Sequence, residues 1–424
     1  MRALLAIIRL ELVAIWRSWT LALMMVASVA WMLLFPFVLK GDGTAEGARE
    51  MYIRYSLGGV FALLVVSLLA SATGVLARER GAKRLQLTVV RPVRYFFVAF
   101  GKMIAHVMAG ALVLAVVSVI LCFRVDPSAP CAHVLSPVLP PPQEEAETMY
   151  EAYMKDPDTP EQVKKAKKST VLRLLTQRAF DHYQTISTNA VARWTFNLPE
   201  DVGRAGNVGV RMRFTNQYEM RQDVVGRFRL LDRSGTVSNI TQAVVTVPLS
   251  GTEADPSVRS GLPELTFANA GRHPLMLRPR KDINLLVQAD CFAFNLVRAY
   301  LVMVAVLAFV IAFGTFLSAS LSRPVAMFVA VVILIVSEMC PSVIDQCQDT
   351  LDAGRLDRLG LALTRMTAEV TRPISAMAPL ESLPLDECIE WRDVIRMCAA
   401  DLVLLPVLLA LLSALVMPYK QDNL

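Results

Sequence analysis

Few residues in this 424-residue chain have the types and spacing that chemistry needs. Gly101-Lys102 is the nearest approach to a phosphate loop. It lacks the upstream glycine of G-x-x-x-x-G-K-[ST], which lets backbone amides cradle phosphates, so the chain is not expected to hydrolyse ATP itself and is read as a non-enzyme without a cofactor of its own. Four histidines are dispersed, with no H-E-x-x-H and no paired C-x-x-C, and no metal site is expected. His106, Glu338 and Asp401 fall in apolar runs, where an ionisable group can mark a pathway; a packed or wetted side chain is the ordinary reading for each.

Seven cysteines remain to be placed. Cys122 lies inside an apolar run, and the other six lie at or beyond what reads as the external face. Cys131 and Cys291 bracket a water-soluble stretch at its two membrane-proximal ends, and a disulfide there would clamp it in an oxidising compartment. Cys347 and Cys388 could staple a later external loop in the same way. Buried thiols are equally consistent with the spacing.

The elements that position these residues follow from hydropathy. Apolar residues make up 54% of the chain and are clustered in blocks, each a membrane-span candidate because about 20 helical residues cross the hydrocarbon core. Residues 3–17 carry Leu4, Leu5, Ile7, Ile8, Leu12, Ile15 and Trp16 on one face with Arg2, Arg9, Glu11 and Arg17 between them, which predicts an amphipathic helix lying in the interface or, more simply, a cytosolic extension of the first span. Spans are expected at about 20–39, 56–77, 97–123, 296–321, 325–340 and 397–416, the fifth being short for a full crossing. Ser28 and Ala30 have a loosely suitable spacing for signal cleavage, yet the apolar run continues through Trp31, Leu33, Leu34, Phe35 and Phe37, and Glu11 interrupts the basic leader. An uncleaved first span is expected.

Between the second and third spans, Arg78, Arg80, Lys83, Arg84, Arg91 and Arg94 are opposed only by Glu79. Such an excess beside spans marks a cytoplasmic loop. Six crossings then place both termini inside a cytoplasmic (inner) membrane. The formal charge of +6 is read as topology in a lipid membrane and not as nucleic-acid binding.

Residues 124–295 read as a folded extracytoplasmic α+β domain, since loops longer than about 60 residues are exempt from the charge rule. A Pro-rich stalk (Pro127 to Pro142) leads to a helical hairpin over 143–187, with a shorter helix at 144–154 and a longer one from a Thr159–Gln162 capping box to about Ile186. Period-two alternation then predicts strands near 192–198, 208–214, 224–231, 242–247, 264–267 and 283–288. They form a β-sandwich over 190–290, of immunoglobulin or jelly-roll type. Residues 296–424 hold the remaining spans, with an external amphipathic segment over 341–395 that includes Ile374, Met377, Leu380, Leu383 and Leu385.

At the basic stretch the sequence resembles the membrane subunits of type-two ABC exporters, permeases that pair with a separate ATPase. Their cytoplasmic loop reads like E-R-E-x-G-T-L-E-L-L-L-x-x-P, followed nine residues after the proline by Gly-Lys. Glu79, Arg80, Leu85, Leu87, Pro92, Gly101 and Lys102 fall on those positions, while Gly81, Lys83 and Gln86 depart from them. The resemblance implies a six-span permease coupled through loop 78–95, with Arg78, Arg84 and Arg91 around the apolar Leu85 and Leu87. It implies an ATPase partner that consumes the ATP, a second permease copy or homologue, a dimeric assembly, export of an unidentified substrate, and a β-domain able to meet a periplasmic partner. The reading from another class is a receptor or scaffold whose external β-domain binds an envelope partner, with loop 78–95 setting topology only.

Overall fold

The computed structural model describes residues 2–38, 45–81, 94–139, 142–155, 168, 171–172, 174–176, 184–197, 208–213, 224–230, 233–240, 244–249, 264–271, 274–348, 360, 362, 364–366 and 378–421. The chain divides into two units, one of Met1–Ala129 with Cys291–Leu424 and the other Pro130–Asp290.

The first unit is helical. Helix α1 (Arg2–Arg17) is followed by α2 (Thr20–Val38), α3 (Ala45–Gly81) and α4 (Tyr95–Arg124). After the insertion come α7 (Phe292–Ser320) and α8 (Arg323–Gln348), then a short α9 (Ala378–Ser382). The last helical run is α10 (Trp391–Met397), a π-helical turn (Cys398–Leu404) and α11 (Leu405–Gln421).

Among the described residues five helices are long and apolar enough to cross a membrane: Thr20–Val38, Gly47–Glu79, Tyr95–Arg124, Phe292–Ser320 and Trp391–Met417. The chain is a multi-pass membrane protein by this measure. The expected fifth span is the exception. It lies on α8, where the apolar part is the shorter Arg323–Ser337. The count of clearly apolar spans is therefore five where six were expected.

Their burial ranks them. In α7 78% of the most apolar window is buried inside the protein, against 22% for α2 and 28% for the last span. Helix α7 is thus the central one, packed on α3, α4 and the last span through Ala299, Met303, Val306, Val310 and Leu317. Small residues make this closeness possible, as helix packing in lipid requires. A β-carbon on Gly314 would lie 3.0 Å from Leu69 and 3.1 Å from Ala72. One on Gly59 would strike the Trp31 ring at 2.4 Å, so Gly59 is the seat for that indole. The two points where the inserted unit leaves and rejoins are tied together, the Phe292 amide donating to the Ala129 carbonyl at 2.8 Å.

The second unit is rich in strands. Its sheets run β1-β10-β4-β7, β2-β9 and β3-β8-β5-β6. The strands are β1 (Pro130–Leu135), β2 (Gln184–Ile186), β3 (Val191–Thr195), β4 (Val208–Arg213), β5 (Val224–Leu230), β6 (Arg233–Ile240), β7 (Val244–Leu249), β8 (Glu264–Asn269), β9 (Leu275–Leu277) and β10 (Ile283–Cys291). Alternation decides which side chains face inward. Trp194, Phe228 and Phe267 from one four-stranded sheet join Val210, Met212 and Leu285 from the other, with Ile186 and Leu277 from the short pair, in one apolar cluster. Phe228 and Phe267 stand opposite each other across β5 and β8, their rings 4.7 Å apart.

Two expectations for this unit are corrected. The helix predicted to reach Ile186 has given way to strand by Gln184, because Gln184–Ile186 pair antiparallel with Leu275–Leu277 and bury Ile186. The Thr159–Gln162 cap lies outside the described residues, as does most of the helix it would start. Part of the Pro-rich stalk is also a strand. Pro130 opens β1 at the edge of its sheet, a position where a missing N–H is tolerated. Helix α5 (Pro142–Lys155) forms where the shorter helix was expected, and its Ala146 packs with Val171 and Leu175.

Candidate functional site

The residues singled out near the basic stretch converge at the junction of α1, α3 and α4. Helix α1 forms because apolar residues recur on one face, and Ile8 and Leu12 of that face pack into the membrane core cluster. Gly101 sets how closely it approaches α4. A β-carbon there would lie 2.9 Å from an Ile7 methyl and 3.2 Å from a Leu4 methyl, so a larger residue would make the α1 side chains shift. One residue on, the Lys102 ammonium donates to Glu11 Oε2 at 2.8 Å and to Glu79 Oε1 at 2.7 Å.

This is a three-helix ion-pair cluster. The Lys102 side chain is 7% exposed, against 17% for Glu11 and 31% for Glu79. Burying an ammonium so far from water is costly without close anions, and here there are two. Glu79 lies just before the basic loop and Lys102 shortly after it, so their contact closes the loop at its base. Glu11 adds the amphipathic helix to the same knot.

His106 sits one turn above Lys102. Its Nδ1 lies 2.9 Å from the Lys102 carbonyl and its Nε2 3.0 Å from Ser71 Oγ. With Nδ1 as donor to the carbonyl, Nε2 is left to accept from the serine hydroxyl, which is a polar tie between α4 and α3. A third tie joins α3 to α7, where Ser318 Oγ accepts the amides of Leu76 (3.1 Å) and Ala77 (2.9 Å).

Of the sequence-predicted loop residues, Arg78 and Glu79 lie on the last turns of α3, Arg80 continues that helix, and Gly101 and Lys102 lie on α4. Arg84, Leu85, Leu87, Arg91 and Pro92 lie outside the described residues. Glu79 and Lys102 are brought together; Arg78 points elsewhere, its Nε donating to the Gly74 carbonyl at 3.2 Å. Asp401 is buried, 4% exposed, on the π-helical turn of the last span. The side chain of Glu338 lies outside the described ones.

A second polar knot holds the segment before the last span. Asn295 of α7 donates to the Glu387 carbonyl at 2.8 Å and accepts from the Ile389 amide at 2.9 Å. Arg298, one turn along, donates to the Ile389 carbonyl at 3.2 Å and lies over the Trp391 ring. Arg49 of α3 is ion-paired with Asp386. The sequence pointed to none of these partners, although Asn295 stands out as a polar residue at the head of an apolar run.

Cys131 and Cys388 each take part in a disulfide, and Cys291 is a thiol. The Cys131–Cys291 bond considered from the sequence is therefore not made, since the Cys131 sulfur, in its one disulfide, is already engaged. The side chain of Cys347 lies outside the described ones. No group of three or more His, Cys, Asp or Glu side chains able to hold a metal occurs among the described residues.

Among the described residues these contacts are polar ties between helices, near the start of α4 and before the last span. Comparison with protein-family models, with curated proteins and with solved structures finds no match to this chain.

Proposed function

We propose that this chain is the permease subunit of an ATP-driven exporter, coupled through residues 78–95 to a separate ATPase subunit and working with a second permease copy. The observation that carries the reading is the Lys102 contact with Glu79 and Glu11. A loop that only set topology needs no rigid base. A loop that receives a push from a nucleotide-driven partner needs its two ends joined to each other and to the helices it must move. The Lys102 knot meets that need, because displacement of the loop carries the end of α3, the start of α4 and α1 together.

Finer features of the fold belong to the same reading. Helix α8 has 26 residues, a length of about 39 Å at about 1.5 Å per residue, enough to make a sixth crossing. Both termini then lie in the cytoplasm. The disulfide-bonded Cys131 and Cys388 fit an oxidising compartment on the opposite side, where the strand-rich unit would stand as a β-sandwich.

The test is purification of the tagged protein from its native membrane in mild detergent beside an Arg80→Glu/Leu85→Asp variant. A nucleotide-binding subunit that accompanies the wild type with ATPase activity, and is lost from the variant, is the expected result. Failure of any ATPase to accompany the wild type, under conditions that hold other membrane complexes together, would overturn the exporter reading.

A further inference from the structure

A pair of arginines from different helices meets near the end of a span, and among the described residues no carboxylate pairs with either. Arg78 stands on the last turns of α3 and Arg323 on the first residue of α8, and both are exposed. A β-carbon on Gly74 would lie 3.0 Å from Arg323 Nε and 3.0 Å from Arg78 Nη2, so the two guanidinium groups are neighbours over the bare glycine backbone. Two like charges this close repel each other unless an anion lies between them. Among the described residues neither group is ion-paired with a carboxylate, and the nearest acid in sequence, Glu79, is held by Lys102.

Two further features surround the pair. The N-terminus of α8, opened by the exposed Ser322, brings the positive end of a long helix dipole to the same place. Just beyond it Val325 (47% exposed) and Phe328 (69% exposed) present apolar surface on the first turns of α8. Charge for a headgroup and an apolar surface for a chain thus lie side by side, at the end of the Gly47–Glu79 span.

We propose that Arg78 and Arg323, over Gly74, bind the phosphate of an anionic lipid headgroup. Planar guanidinium groups suit phosphate oxygens, and basic sites between spans at the membrane edge are suited to such lipids. The glycine leaves the two forks free to converge on one phosphate. The inference stands apart from the exporter reading, since it concerns lipid and needs no ATPase.

The experiment titrates fluorescently labelled phosphatidylglycerol into the full chain in neutral detergent, with phosphatidylcholine carrying the same label as control. The wild type is expected to prefer phosphatidylglycerol, and Arg78→Gln/Arg323→Gln to weaken its binding by about tenfold or more. Gly74→Ala is the mild variant, because it keeps both charges and meets only the ends of two flexible side chains. It is expected to keep the preference with at most a small loss, and Arg193→Gln/Arg227→Gln, on exposed strand positions, is expected to leave it intact. Wild-type affinity in the double arginine variant with an unchanged elution profile would overturn the proposal. So would equal binding of the two lipids with displacement of the label by inorganic phosphate, which would mark a site for free anions.

Discussion

Replacing Lys102 by methionine removes the ammonium from between two carboxylates while keeping most of the side-chain volume. Its side chain is 7% exposed and it makes two charged hydrogen bonds, at 2.8 Å to Glu11 and 2.7 Å to Glu79. Each such bond contributes about 1.5–3 kcal/mol when buried, and breaking a buried pair by deleting one partner costs about 3–5 kcal/mol because a charge is left behind. Glu79, at 31% exposed, recovers much of its hydration, so most of the cost falls on Glu11, at 17%. A total of about 3 kcal/mol follows. At about 2 °C per kcal/mol for a larger chain, the expected loss is about 6 °C in the thermal unfolding midpoint, followed by tryptophan fluorescence in one detergent at fixed scan rate. Glu11→Gln is expected to cost more than Glu79→Gln, and Lys102→Met/Glu11→Leu to recover part of the loss, since an apolar pair can replace a buried ionic one. An unchanged midpoint in Lys102→Met, or a larger cost for Glu79→Gln than for Glu11→Gln, would refute the reasoning.

Gly101→Leu should force α1 away from α4, costing about 1–3 kcal/mol, and its effect should be less than additive with Lys102→Met because both release Glu11. Asn295→Ala leaves the Glu387 carbonyl and the Ile389 amide without their partner; a local loss of about 2 kcal/mol should appear as roughly 30-fold faster hydrogen exchange at Ile389. Removing the Ser318 hydroxyl with Ser318→Ala should speed exchange at Leu76 and Ala77 and leave that at Ile389 unchanged. Reduction of the protein should lower the midpoint, at a typical cost of about 2–4 kcal/mol for each disulfide, and alkylation of the reduced, unfolded chain should then label Cys131 and Cys388, which the unreduced chain keeps unlabelled.

The parts of the fold legible in the sequence are those that a local pattern encodes. Apolar runs of span length gave α2, α4 and α7 to within a few residues, since an isolated helix in lipid must be apolar around its circumference. Helix α3 runs well beyond its expected 56–77 at both ends because its polar ends continue the helix outside the apolar run. Strands with a buried face, such as Val191–Thr195, announced themselves by alternation. Strand Arg233–Ile240 did not, because it is an edge strand with few apolar residues, and Gln184–Ile186 and Leu275–Leu277 are too short to show a period.

The site was half legible. Gly101 and Lys102 stood out by their position after the basic loop, and Glu79 as its lone acid. Glu11 was visible only as an acid out of place in a basic leader, and its pairing with a lysine 91 positions away has no local signature. The same holds for Ser71 with His106 and Ser318 with Leu76, whose partners are fixed by which helices pack together.

The Asn295 knot has a consequence for how the segment before the last span can change. Its hydrogen bonds go to the carbonyl of Glu387 and the amide of Ile389, and Arg298 adds the Ile389 carbonyl. All three are main-chain groups, which every residue except proline carries in full. These three bonds therefore use no side chain at those positions, although the Ile389 side chain also packs against the core cluster of the helical unit. Exchanges at Glu387 and Ile389 leave these three bonds in place so long as the main chain keeps its amides; proline at 389 removes the bond to Asn295, and proline at 387 removes the bond of the Glu387 amide to the Ser382 carbonyl. A library randomised at these two positions would exclude proline at both and favour apolar residues at 389, while Asn295 itself would tolerate almost nothing.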